Sequence, residues 1–306
     1  MWTRCWQKKN GNDLAAMRSE PRTIAEAIDL CRNRLRSASN TPWLDARLLA
    51  QHVTGLDASA LIAYGDASLD RTRRQQLFKL AERRAAGEPV AYIVGKKHFC
   101  GLELLVDKRV LVPRPETEEL TLACVDDWSG TSADIVDVGT GSGAIACALA
   151  HLLPAARLLA LDASSVALEV ARDNVAKLGL GEQISIVESD LFAAIEPQLQ
   201  FDVIIANLPY VSTSNLAALE PAVQAHEPSL ALLGGRDGLD VYRRLLNEAP
   251  QRLKAGGALY CECGPDNAGE LAAVMQRTFP QAALEIRNDL AGLERMVICR
   301  TRNDPR

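Results

Sequence analysis

Two short stretches combine residue types that can bind and act on a small polar group. In Asp137-Val138-Gly139-Thr140-Gly141-Ser142-Gly143 an apolar run ends in three glycines at alternate positions. Without Cβ atoms, backbone N–H groups at a strand-to-helix turn approach a ligand closely; the same spacing also suits a bare tight turn. The second stretch is Asn207-Leu208-Pro209-Tyr210, which follows the apolar run Phe201–Ala206. Pro209 keeps Leu208 out of the helical region and so sets the direction of its carbonyl. Asn207 Oδ1 and that carbonyl can then accept the two N–H bonds of a planar NH2 group, with Tyr210 offering a face for stacking. Asn and Pro are also ordinary turn residues, but a turn does not require an amide, a restrained carbonyl and an aromatic together. The chemistry that fits is an amide or an exocyclic amine.

The elements that must position these residues follow from periodicity. From Asp134 onward, short apolar strands (Ile135–Val138, Leu158–Leu161, Ile184–Val187, Val203–Ala206, Ala258–Cys261) alternate with helical stretches near 143–153, 164–179, 237–253 and 267–278. That is the pattern of an α/β fold with a parallel sheet. Ala283–Ile286 and Met296–Cys299 are joined by a loop alone and should pair antiparallel. Asp162 ends the second strand and Ser189-Asp190-Leu191-Phe192 follows the third. Carboxylates at successive strand ends converge on the crevice where such folds bind nucleotides, an Asp about 20 residues after the glycines being placed for ribose hydroxyls. The third glycine comes one residue earlier than in the dinucleotide pattern, which favours S-adenosylmethionine over NAD. Upstream, the three- and four-residue spacing of apolar positions from Thr23 to about Ala86 predicts a helical bundle. Val90, Tyr92 and Val94, then Leu102, Leu104 and Val106, alternate about Gly95 and Gly101 and predict a β-hairpin linker. The expected domains are therefore a loose tail over 1–21, in which Met17 is an alternative start, a helical domain over 22–89, a hairpin linker over 90–115 and the cofactor-binding domain over 116–306.

Composition narrows the function classes. The 306 residues carry 34 Lys+Arg against 39 Asp+Glu, a formal charge of -5, so the broad basic field of a protein held by phosphate contacts is missing and no direct nucleic-acid binding is expected. No apolar run approaches the ~18 residues of a membrane span, and the chain is expected to be cytoplasmic. Of the eight cysteines only Cys261 and Cys263 are close, and no second spaced pair completes a zinc pattern. We therefore expect no metal. His52, His98, His151 and His226 belong to no acid/base motif, and no general base is assigned.

With those residues in view, the chain resembles the HemK/PrmC family of protein N5-glutamine methyltransferases, which modify class I peptide chain release factors. The resemblance runs from about Ile24 to Arg300 and includes Gly95–Phe99 with Gly101, Leu111-Val112-Pro113-Arg114-Pro115-Glu116-Thr117-Glu118, Glu227-Pro228 with Leu230–Leu232, Gly234-Gly235 with Asp237-Gly238, and Ala291-Gly292-Leu293-Glu294-Arg295. It implies a Rossmann-like, seven-stranded class I methyltransferase domain behind a small helical domain that helps dock the release factor; the protein is expected to be a monomer. It also implies that Gly139, Thr140, Gly141, Ser142 and Gly143 meet the methionine part of S-adenosyl-L-methionine, Asp162 its ribose, and Asp190 with Leu191 its adenine. Asn207, Leu208, Pro209 and Tyr210 become the catalytic, glutamine-binding residues, with Asn207 also beside the cofactor. The family usually has Asn-Pro-Pro-Tyr; Asn-Leu-Pro-Tyr looks like the motif of rRNA adenine dimethylases. Three alternatives follow: a glutamine methyltransferase of a ribosomal protein, an N6-adenine methyltransferase of nucleic acid, and a cofactor-binding scaffold without catalysis. Glu116 and Glu118 either close over the cofactor or serve as N-terminal helix charges.

Overall fold

The computed structural model describes residues 21–302, so the expected tail, apart from Pro21, and Met17 lie outside the described residues. The chain divides into two compact units between Val94 and Gly95. The first contains α1 (Ile24–Leu35), α2 (Pro42–Thr54), α3 (Ala58–Ala63), α4 (Arg71–Ala85) and α5 (Val90–Val94). Thr23 opens α1 with a capping box, its hydroxyl accepting from the Glu26 N–H while Glu26 accepts from the Thr23 N–H. Ile24, Ala27, Ile28, Cys31 and Leu35 share one face of α1 and pack with Leu49, Leu61, Leu77 and Leu80 into one core.

The alternation at Val90, Tyr92 and Val94 does not make a strand. The Pro89 carbonyl accepts from the N–H groups of Tyr92 and Ile93 and winds the segment into the single turn of α5, which buries Ala91 and Ile93. Alternation over five residues does not separate one helical turn from one strand, and burial of Ile93 decides it. The hairpin is shorter than expected: β1 (Lys96–Phe99) pairs antiparallel with β2 (Leu102–Leu105).

The hairpin opens the second unit, followed by α6 (Pro115–Trp128), β3 (Asp134–Val138), α7 (Ala144–Leu152), β4 (Arg157–Asp162), α8 (Ser165–Leu178), β5 (Ile184–Glu188), β6 (Phe201–Ala206), α9 (Pro221–His226), α10 (Asp240–Arg252), β7 (Leu253–Glu262), α11 (Ala268–Thr278), β8 (Ala283–Asn288) and β9 (Glu294–Arg300). The seven longer-range strands form one sheet in the order β5-β4-β3-β6-β7-β9-β8. Only β9 runs against its neighbours, as the short β8–β9 connection requires. Successive residues of β3 face opposite sides: Ile135 packs with α6 and α7, whereas Val136 and Val138 pack with α10 and α11. Cys261 and Cys263 are fully buried in the second of these cores. Because β4 and β5 lie to one side of β3 and β6 to the other, the chain reverses direction between β3 and β6. The loops leaving those two strands, Gly139–Gly143 and Asn207–Tyr210, therefore meet at the switch point, the place where open α/β sheets bind ligands.

Candidate functional site

The glycine loop is held from below and from the side. Gly139, Gly141 and Gly143 have φ values of 78°, 56° and 78°, a region that side-chain-bearing residues rarely enter. The N–H groups of Gly139 and Thr140 donate to the Leu161 carbonyl at 2.8 and 2.9 Å, and Thr140 Oγ1 donates to Asp137 Oδ2 at 2.6 Å. Asp162 does more than end β4. Its Oδ2 accepts the Gly141 N–H and its Oδ1 the Ser164 N–H, both at 2.8 Å, so one carboxylate ties the loop to the start of α8. Asn174, buried on α8, adds a tie that the sequence did not suggest. Its Nδ2 donates to the Ser142 carbonyl at 2.9 Å and to the Leu105 carbonyl at 3.0 Å, while its Oδ1 accepts the Leu105 N–H at 2.6 Å.

A cavity of about 220 Å³ lies over this loop, lined by Gly139–Ser142, Asp162, Asp190, Leu191, Asn207, Leu208 and Pro209 together with Pro113, Arg114, Thr117 and Arg244. Two expected site residues lie elsewhere. Gly143 is absent from the lining; it caps α7, where a Cβ would stand 3.3 Å from that of Ala171. Tyr210 faces a second cavity, and Asn207, Leu111, Arg114 and Ala231 line both. At one edge of the first cavity, Asp190 pairs with Arg244 at 2.7 Å. Leu191 has φ of 52° with its side chain buried, a conformation costing on the order of 1–3 kcal/mol in a non-glycine residue. Ser189 Oγ holds it by donating to the Leu191 carbonyl at 2.7 Å.

The Asn207–Tyr210 loop is fixed by partners distant in sequence. Asn207 Nδ2 donates to Thr117 Oγ1 at 3.0 Å, and that hydroxyl donates to Glu262 Oε2 at 2.6 Å. Tyr210 donates its phenol to Glu262 Oε1 at 3.2 Å. The Leu208 N–H donates to the Tyr242 hydroxyl at 3.1 Å, and Tyr242 donates onward to the Glu262 carbonyl. The Leu208 side chain packs over Gly139, where a Cβ would come within 2.9 Å of Leu208 Cδ2. Gly234 and Gly238 bring their backbones against the carbonyls of Pro209 and Tyr210, which a Cβ would approach to 2.4 and 2.2 Å. In the Pro-Arg-Pro-Glu-Thr-Glu string, Arg114 pairs with buried Glu227 at 2.6 Å, and Glu118 accepts the N–H of Cys100 in the hairpin turn at 3.1 Å. Neither Glu116 nor Glu118 lines the first cavity.

Burial raises three carboxyls around the site. Asp137 is pushed from its ordinary 3.8 to about 7 against the help of Thr140 and the Ala146 N–H, with its Oδ1 buried and without a hydrogen-bond partner. Glu262 is pushed up to about 7, also by burial, although Thr117 and Tyr210 oppose the shift. Asp162 is raised by burial, with the N–H groups of Ser164 and Gly141 working the other way.

Residues 26–95 match the family model of the PrmC N-terminal domain, and residues 114–225 that of ribosomal protein L11 methyltransferase (PrmA). The release factor glutamine methyltransferase of Rhodopirellula baltica is 39% identical over 267 residues, spanning 86% of this chain and 90% of that protein. Among solved structures, the hMettl16 catalytic domain in complex with a MAT2A 3'UTR hairpin aligns with a TM-score of 0.54 at 17% identity, over 71% of this chain and 80% of that one. The Thermus thermophilus 16S rRNA N2 G1207 methyltransferase (RsmC) in complex with AdoMet and guanosine aligns with a TM-score of 0.50 at 17% identity, over 68% and 50% of the two chains. At those identities the two structures show the methyltransferase fold alone. The sequence likeness spans both units and nearly the whole relative, and the chain belongs to the release factor glutamine methyltransferase family.

Proposed function

We propose that this methyltransferase moves the methyl group of S-adenosyl-L-methionine to the side-chain amide nitrogen of a protein glutamine, that of the Gly-Gly-Gln sequence in class I peptide chain release factors. One observation carries the reading: Asn207 stands in the wall shared by two cavities, with its Nδ2 engaged by Thr117 and its Oδ1 left as the acceptor. A substrate side chain entering past Tyr210 meets there an acceptor for N–H.

The residues of the first cavity fit the cofactor. A Cβ at Gly141 would meet no protein atom within 4 Å, so packing does not demand the glycine; backbone conformation and room for a ligand do. In this reading Gly139–Ser142 hold the methionine part, Asp162 the ribose, and Asp190 with Leu191 the adenine, against apolar walls of Ile145, Leu208 and Pro113. When bound, the sulfonium supplies an electrophilic methyl group. A carboxamide nitrogen is a poor nucleophile, because its lone pair is delocalised into the carbonyl. Asn207 Oδ1 and the Leu208 carbonyl orient both N–H bonds and favour the state in which positive charge develops on nitrogen. Proton loss follows methyl transfer, so no strong base is needed. Residues 22–89 dock the release factor, and the enzyme works in the cytoplasm as a monomer. Among the described residues no helix is long and apolar enough to cross a membrane.

The test supplies labelled methyl donor with a release factor, its Gln→Ala version, a ribosomal protein and an RNA. Label on the release factor that disappears in the Gln→Ala version is the expected result. Label in RNA adenine favours instead the reading that Asn-Leu-Pro-Tyr invites, since an adenine amine also offers two coplanar N–H bonds.

A further inference from the structure

Three segments far apart in sequence meet at one buried carboxylate. Glu262 ends β7, Thr117 lies in the first turn of α6, and Asn207 and Tyr210 follow β6. Glu262 is 1% exposed and Thr117 5%. A threonine hydroxyl has one hydrogen and two lone pairs. Thr117 directs its hydrogen to Glu262 Oε2 at 2.6 Å, so toward Asn207 it offers only a lone pair. The Asn207 group 3.0 Å away is therefore Nδ2, and Oδ1 is turned the other way. Reversing the amide would set Oδ1 against Thr117 Oγ1 and require the hydroxyl hydrogen to leave Glu262. With Glu262 ionised, above about pH 7, that strands a buried carboxylate oxygen, a loss on the order of 1–3 kcal/mol or more.

We infer that Glu262, acting through the Thr117 hydroxyl, fixes which end of the Asn207 amide the substrate meets, and thereby makes the site select an NH2-bearing side chain over a carboxylate of the same shape. The inference rests on the glutamine reading above and adds to it the residues that set specificity. Thr117 and Glu262 are positioning residues. A glutamine carboxamide brings N–H donors to Asn207 Oδ1, whereas a glutamate in its place brings only acceptors. Glu262 fixes a second point of the same loop through the Tyr210 phenol at 3.2 Å, so one carboxylate sets the amide and the aromatic together.

The experiment measures methylation of a release factor and inhibition by its Gln→Glu version at pH 8, where Glu262 is ionised, with the full-length enzyme and saturating methyl donor. A site built to receive N–H bonds rejects an analogue that lacks them, and we expect the wild type to discriminate by ~10²-fold or more. Thr117→Val keeps the shape and removes the hydroxyl. It should cut the discrimination to within about fivefold and lower kcat by at least ~10-fold, while methyl-donor affinity stays within about threefold and Thr117→Ser restores both quantities. If Thr117→Val does not fold, Thr117→Cys, whose thiol is a weak donor and a weak acceptor, should still reduce discrimination by at least about fivefold. Discrimination that survives in either variant overturns the relay and leaves the glutamine reading standing. A wild type that binds the Gln and Glu versions equally overturns both.

Discussion

Asp162 shows how a residue placed from sequence acquires a second duty in the structure. Its position at a strand end marks it for the ribose, and both of its oxygens already accept backbone N–H bonds from Gly141 and Ser164. Asp162→Ala therefore removes the loop tie together with the proposed ribose ligand. It should weaken cofactor binding by about 1.5–3 kcal/mol or more, the scale of a lost bond to a charged group. Calorimetric titration measures this, and an unchanged affinity in a folded variant would remove Asp162 from the site. Asn207→Ala should cost ~10²–10³ in rate, as the loss of one preorganised acceptor does elsewhere. Leu208→Pro should leave the rate within about tenfold if the carbonyl is what acts. The variant should also melt earlier, because proline has no N–H for Tyr242 and cannot reproduce the packing over Gly139. A Leu208→Pro enzyme as inactive as Asn207→Ala would assign the role to the leucine side chain. That Gly139, Gly141 and Asp162 would share one crevice was legible because local spacing carries them, whereas Gly143 caps α7 outside the cavity lining. Thr117, Glu262 and Asn174 were not, since nothing near them in sequence says that α6, β7 and α8 will bring them to the loops.

At the scale of elements, alternation and loop length were enough for the parallel strands and for the antiparallel β8–β9 pair, whose sequence neighbours are also its spatial neighbours. They failed at 90–94, where five residues fit either period and the core of the first unit made the choice. The hairpin reads from sequence as a linker, yet β2 is bound through Asn174 to the glycine loop. Asn174→Ala leaves the Ser142 carbonyl and both backbone polar groups of Leu105 without these partners. We expect cofactor affinity to fall by about 1–3 kcal/mol at the same time as the hairpin amides lose protection from exchange. Hydrogen exchange and titration on one variant check the two together; weakened affinity with undisturbed β2 amides would break the proposed link.

For the whole molecule, the raised carboxyls set the pH dependence of stability. A carboxyl whose folded pKa exceeds its unfolded value contributes stability that is complete below the unfolded value and is lost as pH rises through the folded one. For Asp137 and Glu262 that window runs from about 4 to about 7. Asp107, Asp134, Asp237 and Glu285 are lowered by their Arg or Lys partners and lose their contribution only at more acid pH. The ligand-free protein should therefore melt higher at pH 5.5 than at pH 8, and Asp137→Asn should shrink the difference; a melting curve indifferent to pH across that range would contradict the assignment. The division at Val94 and Gly95 allows a separate test of docking. A chain beginning at Gly95 should bind cofactor and methylate intact release factor poorly, and full activity would free residues 22–89 of the docking role.

Mutational tolerance gives the string from Pro113 to Glu118 another meaning. Arg114 answers to Glu227, Thr117 to Glu262 and Asn207, and Glu118 to the hairpin turn at Cys100. Each of these side chains has its counterpart in a different stretch of chain, so a change at one is not repaired by a change at its neighbour. In a saturation library these positions should behave as a block with few permitted single steps, and the rare survivors should carry a second substitution more than 80 positions away for Thr117 or Arg114, set by the separations of 90, 113 and 145 residues to their partners. Three residues within a stretch of six would then record how the hairpin turn, Glu227 and the ends of β6 and β7 come together.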